Sequence, residues 1–251
     1  MDEARWIMNE SGFPRSVVSV GGRFGYEDDG ETPNTQVVAF DYTSAPLLFE
    51  VRGLPAKAGM KAMDNFRGSC VGVIVDCEAG HLVVSANGTV VACDHEHRRL
   101  KAFAEGGAEE HRSNFFAAIR DEKPKAVAAS PQDCHLPSVL CHLANISHRV
   151  GAEVEDGRIR VSDLGHLGME VYERMLAHLD ANEVPRASLR PVLGARLSPA
   201  ADGSHFEGGE SDLRSRADAL LVRNVRAPFR VPRLTGAARR RPPGGGYRPS
   251  L

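Results

Sequence analysis

Short connections constrain this fold more than any other feature. Between Ser16 and Phe103 one β-type segment follows another with only a turn or a short loop between them, apart from the loop-like stretch 54–69 with Pro55, Gly59 and Gly68. A parallel pair needs a crossover of a dozen residues or more, so neighbours this close pair antiparallel. Val18, Val20, Gly22 and Phe24 alternate with Val17, Ser19, Gly21 and Arg23, and the polar stretch Tyr26–Asn34 then leads to Thr35–Tyr42 and Pro46–Gly53. A meander follows: Cys70–Asp76, His81–Ala86, Thr89–Cys93 and Arg98–Phe103. Asn87-Gly88 between two β-branched runs is a hairpin turn, because both residues tolerate positive φ. About seven strands result.

Helical periodicity takes over afterwards. Glu109–Asp121 sets Phe115, Phe116 and Ile119 on one side. Ser130-Pro131 reads as an N-cap followed by proline at the first helical position. Leu136, Val139, Leu140, Leu143, Ile146 and Val150 then recur at helical spacing up to Gly151. Pro137 either bends that helix or marks its true start. A third helix spans about His166 to Asn182. Beyond Pro185 only Ser211–Leu221, a short helix, and the extended segment Val225–Pro232 carry a pattern. Strands first and helices second imply an α+β fold: an open, largely antiparallel β-sheet with helices on one face. The other face would carry Val38, Phe40 and Tyr42, or Leu48, Glu50 and Arg52, too apolar for water and too polar for a core. Such a face meets another domain or subunit.

The 251 residues suffice for one domain and a tail. The expected boundaries are 1–10 for the remnant of an inter-domain helix, 11–232 for the α+β domain and 233–251 for a disordered basic tail holding Arg239, Arg240, Arg241 and Arg248. A net charge of −2 makes no case for nucleic acid or an anionic membrane surface. No apolar run approaches the ~18 residues of a membrane span. Five cysteines at scattered spacing argue against a disulfide framework and for a reducing compartment, the cytoplasm.

Gly21-Gly22-Arg23-Phe24-Gly25 follows a strand, but a dinucleotide fingerprint must open a helix, and here the continuation is turn-forming and acidic. Cys134-His135 and Cys141-His142 share a helix face at a spacing of seven, yet their leucine neighbours favour buried cysteines in a core helix over a metal site. Cys93-Asp94-His95-Glu96-His97 reads as a turn. The loop Gly25–Asn34 could offer carboxylates and hydroxyls to a sugar, or be a solvated connection stiffened by Pro33. No catalytic residue and no metal ligand is expected.

Ser19-Val-Gly-Gly-Arg-Phe24, Asp29-Gly-Glu-Thr-Pro-Asn-Thr-Gln36, Phe40-Asp-Tyr42 and Phe49-Glu-Val-Arg-Gly53, taken in order, resemble the C-terminal domain of the Gfo/Idh/MocA oxidoreductase family in its bacterial branch. Asn114–Arg120, His135–Arg149, Ala219–Arg223 and Arg226–Pro232 extend the resemblance. Pro137 departs from it, standing where the family has a serine-like residue.

The family carries an N-terminal Rossmann domain for NAD(P), with a glycine fingerprint, a catalytic lysine in Glu-Lys-Pro and a histidine just before an Asp-x-Ala-Arg-Trp-like helix. Asp2-Glu3-Ala4-Arg5-Trp6 matches that helix. The nucleotide domain and its catalytic pair are therefore expected to be missing, and no cofactor is expected in this chain. The resemblance implies a substrate-binding and oligomerising half of a sugar-type oxidoreductase, not catalytic alone, with Arg23, Glu31 and Asn34 facing a sugar-like molecule and a homo-oligomer formed through the sheet face. The alternative is a stand-alone, non-catalytic ligand-binding or scaffold protein. Members of this branch often begin with an export signal, which a truncated start would hide.

Overall fold

The computed structural model describes residues 1–103, 109–222, 226 and 228. The basic tail and most of the expected closing segment lie outside the described residues. Met1–Leu221 form one compact unit, and all the elements below belong to it.

The chain runs α1 (Asp2–Met8), β1 (Ser16–Gly22), β2 (Thr35–Asp41), β3 (Leu47–Arg52), β4 (Gly72–Cys77), β5 (Gly80–Ser85), β6 (Val90–Cys93), β7 (Arg99–Phe103), α2 (Glu109–Arg120), α3 (Pro131–Arg149), β8 (Ala152–Glu153), α4 (Val161–Ala181), β9 (Val192–Leu193), β10 (Ser198–Pro199), β11 (Phe206–Glu207) and α5 (Ser211–Leu221). The class is α+β with open antiparallel sheets. The strands divide into a five-stranded sheet, β3-β2-β1-β9-β8, and a four-stranded meander, β4-β5-β6-β7, with β10 and β11 as a separate ribbon. The Asn87-Gly88 turn joins β5 to β6, with Gly88 at φ +86°.

The helices do not share one face of the five-stranded sheet. Val17 and Val38, with Phe40 and Tyr42, pack against Leu140, Leu143 and Ile146 of α3. Val18, Val20 and Val37 point the other way, onto Val171, Tyr172 and Met175 of α4. Consecutive strand residues alternate faces, so β1 buries every one of its side chains. The face expected to meet a second subunit through Val38, Phe40 and Tyr42 is therefore covered by the chain's own α3.

One serine locks this sandwich. Pairing of β1 with β9 ends at Val20↔Leu193 and resumes only at Val17↔Leu197. In the gap the hydroxyl of Ser147, on α3, accepts from the Ser19 amide at 3.1 Å and donates to the Ala195 carbonyl at 2.8 Å. Gly194 permits this approach, since a Cβ there would lie 2.5 Å from the Ser147 oxygen. Buried backbone groups need partners, and Ser147 supplies two of them.

α3 starts as its sequence indicates: Ser130 caps the amide of Asp133, and Pro131 occupies the first turn. The helix continues through Pro137 instead of starting there. Its first half is mostly exposed among the described residues. Cys134, His135, Cys141 and His142 are exposed, which corrects the expectation that they are core residues. Phe115, Phe116 and Ile119 of α2 are also exposed. Among the described residues no helix is long and apolar enough to cross a membrane.

Candidate functional site

The connection between β1 and β2 is built around Arg23. Its Nε and Nη2 donate to the two carboxylate oxygens of Asp28, and Nη1 donates to the Thr32 carbonyl at 3.1 Å. Asp28 also accepts from the Gly30 amide at 3.0 Å. A Cβ at Gly30 would fall 2.3 Å from the guanidinium carbon, so any side chain there would displace Arg23 from this position. The Arg23 hydrogen bonds, then the Gly30 amide, pull the Asp28 carboxyl down to about 2. The same partner pushes Arg23 up. The guanidinium lies 5.8 Å from the Tyr26 ring centre, and Tyr26 donates to the Gly53 carbonyl at 3.2 Å.

Asn34 closes the base of the loop. Its amide oxygen accepts from the Phe24 amide at 3.0 Å, and its NH₂ donates to the Phe24 carbonyl at 2.8 Å. The side chain thus imitates one more rung of the β1–β2 ladder. Asn34→Ala is expected to destabilise the chain by about 1–2 kcal/mol, measured by urea unfolding, since a half-buried backbone pair loses its partners. Glu31 is exposed and makes no hydrogen bond or ion pair among the described residues. Of the three residues expected to face a sugar, Arg23 and Asn34 are thus brought together at the loop base. Asn34 is committed to the backbone. Arg23 uses three of the five N–H donors of a guanidinium and keeps the rest.

A second group of charges lies where β3 meets α4. Arg52 donates to Asp64 at 2.6 Å, and His178 Nδ1 lies 3.0 Å from the same carboxylate oxygen. Arg174 reaches Glu50 at 3.3 Å and lies over the Phe66 ring at 4.2 Å. Arg52 Nε stands 2.8 Å from Glu50 Oε1, an ion-pair contact whose angle is poor for a hydrogen bond. The His178 side chain is fully buried, and its Nε2 has no partner among the described residues. Burial holds its pKa below the ordinary 6.5, against the pull of Asp64. The neutral ring therefore donates Nδ1–H to Asp64 and keeps a bare lone pair on Nε2.

Reading the sequence found Glu50 and Arg52 but missed Asp64, Arg174 and His178. Arg174 and His178 sit four apart on α4, a spacing that places them on one face. That was the available signal; Asp64 lies in an unpatterned loop and gave none.

Asp94 confirms the turn at Cys93–His97: its carboxylate accepts from the amides of Glu96 and Arg98. Among the described residues no three His, Cys, Asp or Glu side chains gather as a metal site would require. The Gly21-Gly22 run does not form a dinucleotide-binding turn. Gly21 and Gly22 are paired strand residues opposite Gln36 and Thr35, and an acidic loop follows them instead of a helix N-terminus.

No family model matches the chain. No curated protein matches it. Among solved structures it is similar to one described as a "putative oxidoreductase" from Klebsiella pneumoniae, at 13% identity and a TM-score of 0.33, over 57% of this chain and 44% of that one. The chain thus spans less than half the length of that neighbour. A TM-score so low does not establish a shared fold.

Proposed function

We propose that this chain is the substrate-binding and oligomerising part of a Gfo/Idh/MocA-type oxidoreductase, and that it transfers no hydride alone. The observation that carries the reading is the β1–β2 loop, where Arg23 keeps spare donors and Glu31, in the same loop, has an unengaged carboxylate. Donors beside carboxylates suit the hydroxyls of a sugar-like molecule. The sequence words behind the resemblance fall on the adjacent strands β1, β2 and β3 and on α3, which packs against β1 and β2. Hydride transfer needs a nicotinamide held at reacting distance, and the strand-bound Gly21-Gly22 offers no cradle for one.

Oligomerisation falls to the meander. Val73, Val75, Leu82, Val84 and Val90 share one face by register and are half-exposed. None of them belongs to a core cluster.

Calorimetric titration of the chain with NADH and NADPH should give no saturable heat; tight, stoichiometric uptake overturns the reading. Equilibrium dialysis against a panel of sugars should show binding that Arg23→Ala weakens. Oligomers in sedimentation with no sugar bound favour the scaffold alternative.

A further inference from the structure

The four-stranded sheet has a second face, and it is built differently. Register places Asp76 of β4, His81 of β5 and Cys93 of β6 side by side across it. His81 and Cys93, with Arg67 from the loop before β4 and His97 from the turn after β6, line an open pocket of about 420 Å³. The His81 and His97 rings meet edge to face with centroids 5.0 Å apart. His81 is only 5% exposed and makes no hydrogen bond among the described residues. Its ring nitrogens are not sealed from solvent, so they stay open to a ligand entering the pocket.

The backbone around this pocket is specialised. Arg67 has φ +50° and His97 φ +62°, two of the few residues other than glycine in the left-handed region. The β6–β7 ladder shifts register between Ala92 and Cys93, beside the pocket. Bulges re-aim side chains in this way. Gly80 lets β5 approach closely, because a Cβ there would lie 2.1 Å from the Cys93 carbonyl. Strain at two of four lining residues is characteristic of ligand sites.

We propose that this pocket binds a small oxyanion, a carboxylate or a phosphate group, with Arg67 as its charged donor and His81 and His97 as its hydrogen-bonding walls. Arg67 is already aimed: its guanidinium sits 5.1 Å from the Phe66 ring centre and pairs with Asp76. The Asp76 side chain is 74% exposed while that of Arg67 is 24% exposed. A pair open to water on one side is worth little, so an incoming anion can replace Asp76 at small cost. Burial first, then Arg67 and His97, depress the His81 pKa, with Asp76 and Asp94 opposing. Near neutrality His81 is thus a neutral donor or acceptor. A bound anion favours its protonated form, so affinity rises as pH falls. The pocket is separate from the β1–β2 loop and independent of the reading given for it.

The test follows the ring protons of His81 and His97 by NMR in the full chain. Sodium phosphate and sodium acetate are titrated separately at constant ionic strength, with sodium chloride as the reference. One of the two anions should give saturable shifts beyond the chloride reference, and which one does so assigns phosphate or carboxylate. Arg67→Gln should weaken binding about tenfold, the scale of one lost charge contact. Asp76→Asn should strengthen it, which a purely structural role for Arg67 would not produce. Acetate affinity should rise from pH 8 to pH 6. Shifts equal to those in chloride, or the same affinity in Arg67→Gln, would overturn the proposal.

Discussion

Asp64→Ala should cost about 3 kcal/mol of stability, the low end for breaking a buried ion pair. The alanine strands two groups at once. Arg52 keeps only its poorly angled contact with Glu50, and the Nδ1–H of His178 loses its acceptor. Neither can turn to water, since the Arg52 side chain is 15% exposed and that of His178 is fully buried. The low end applies because Asp64 itself keeps a fifth of its side chain in solvent. Asp180 and Arg186 form the internal control: both are more than two-fifths exposed, and Arg186→Ala should cost under about 1 kcal/mol. Urea unfolding of the two variants decides the matter. Equal losses would mean that the charges at β3 and α4 behave as surface groups.

That cluster also explains where reading the sequence stopped short. Leu48, Glu50 and Arg52 look like a face too polar for a core, hence one reserved for a partner. The chain resolves the mixture itself, because α4 brings apolar residues for the sheet and two basic residues for Glu50 and Asp64. Local rules carried the hairpins, the Asn87-Gly88 turn and the Ser130 cap, since each depends on residues adjacent in sequence. They could not find β8 or β9: two residues have no periodicity, and these strands exist because Leu193 meets both Val20 and Ala152 across long separations. Nor could they show that the meander leaves the first sheet. At the candidate site the Arg23 loop stood out by composition. The pairing that gives Arg23 and Asn34 their present roles did not, because it depends on where Asp28 and Phe24 end up. The Cys/His repeat misled in the opposite direction, since apolar neighbours on a helix bury only where a sheet lies beneath them.

Acid should weaken this protein from the histidines first. His81, His148 and His178 all have pKa values held below the ordinary 6.5, burial being the largest cause in each. Between its folded value and 6.5 each binds more protons when unfolded, so stability falls as pH drops through that window. Each group contributes up to about 1.4 kcal/mol per pH unit. His178 should dominate, because a proton on Nε2 would sit in a buried place with no acceptor among the described residues. Nδ1 of His148 is likewise without one. The lowered carboxylates of Asp28, Asp94 and Asp180 act in the same direction at lower pH, stabilising above 3.8 and losing that effect as pH falls through their folded values. The carboxylate window lies below 3.8, so urea midpoints at pH 7, 6 and 5 report the histidines. His178→Gln keeps a donor for Asp64 and removes the titration, and should flatten the decline. A midpoint that rises on going from pH 7 to pH 5, or an unchanged slope in His178→Gln, would show that the buried imidazole is not what acid attacks.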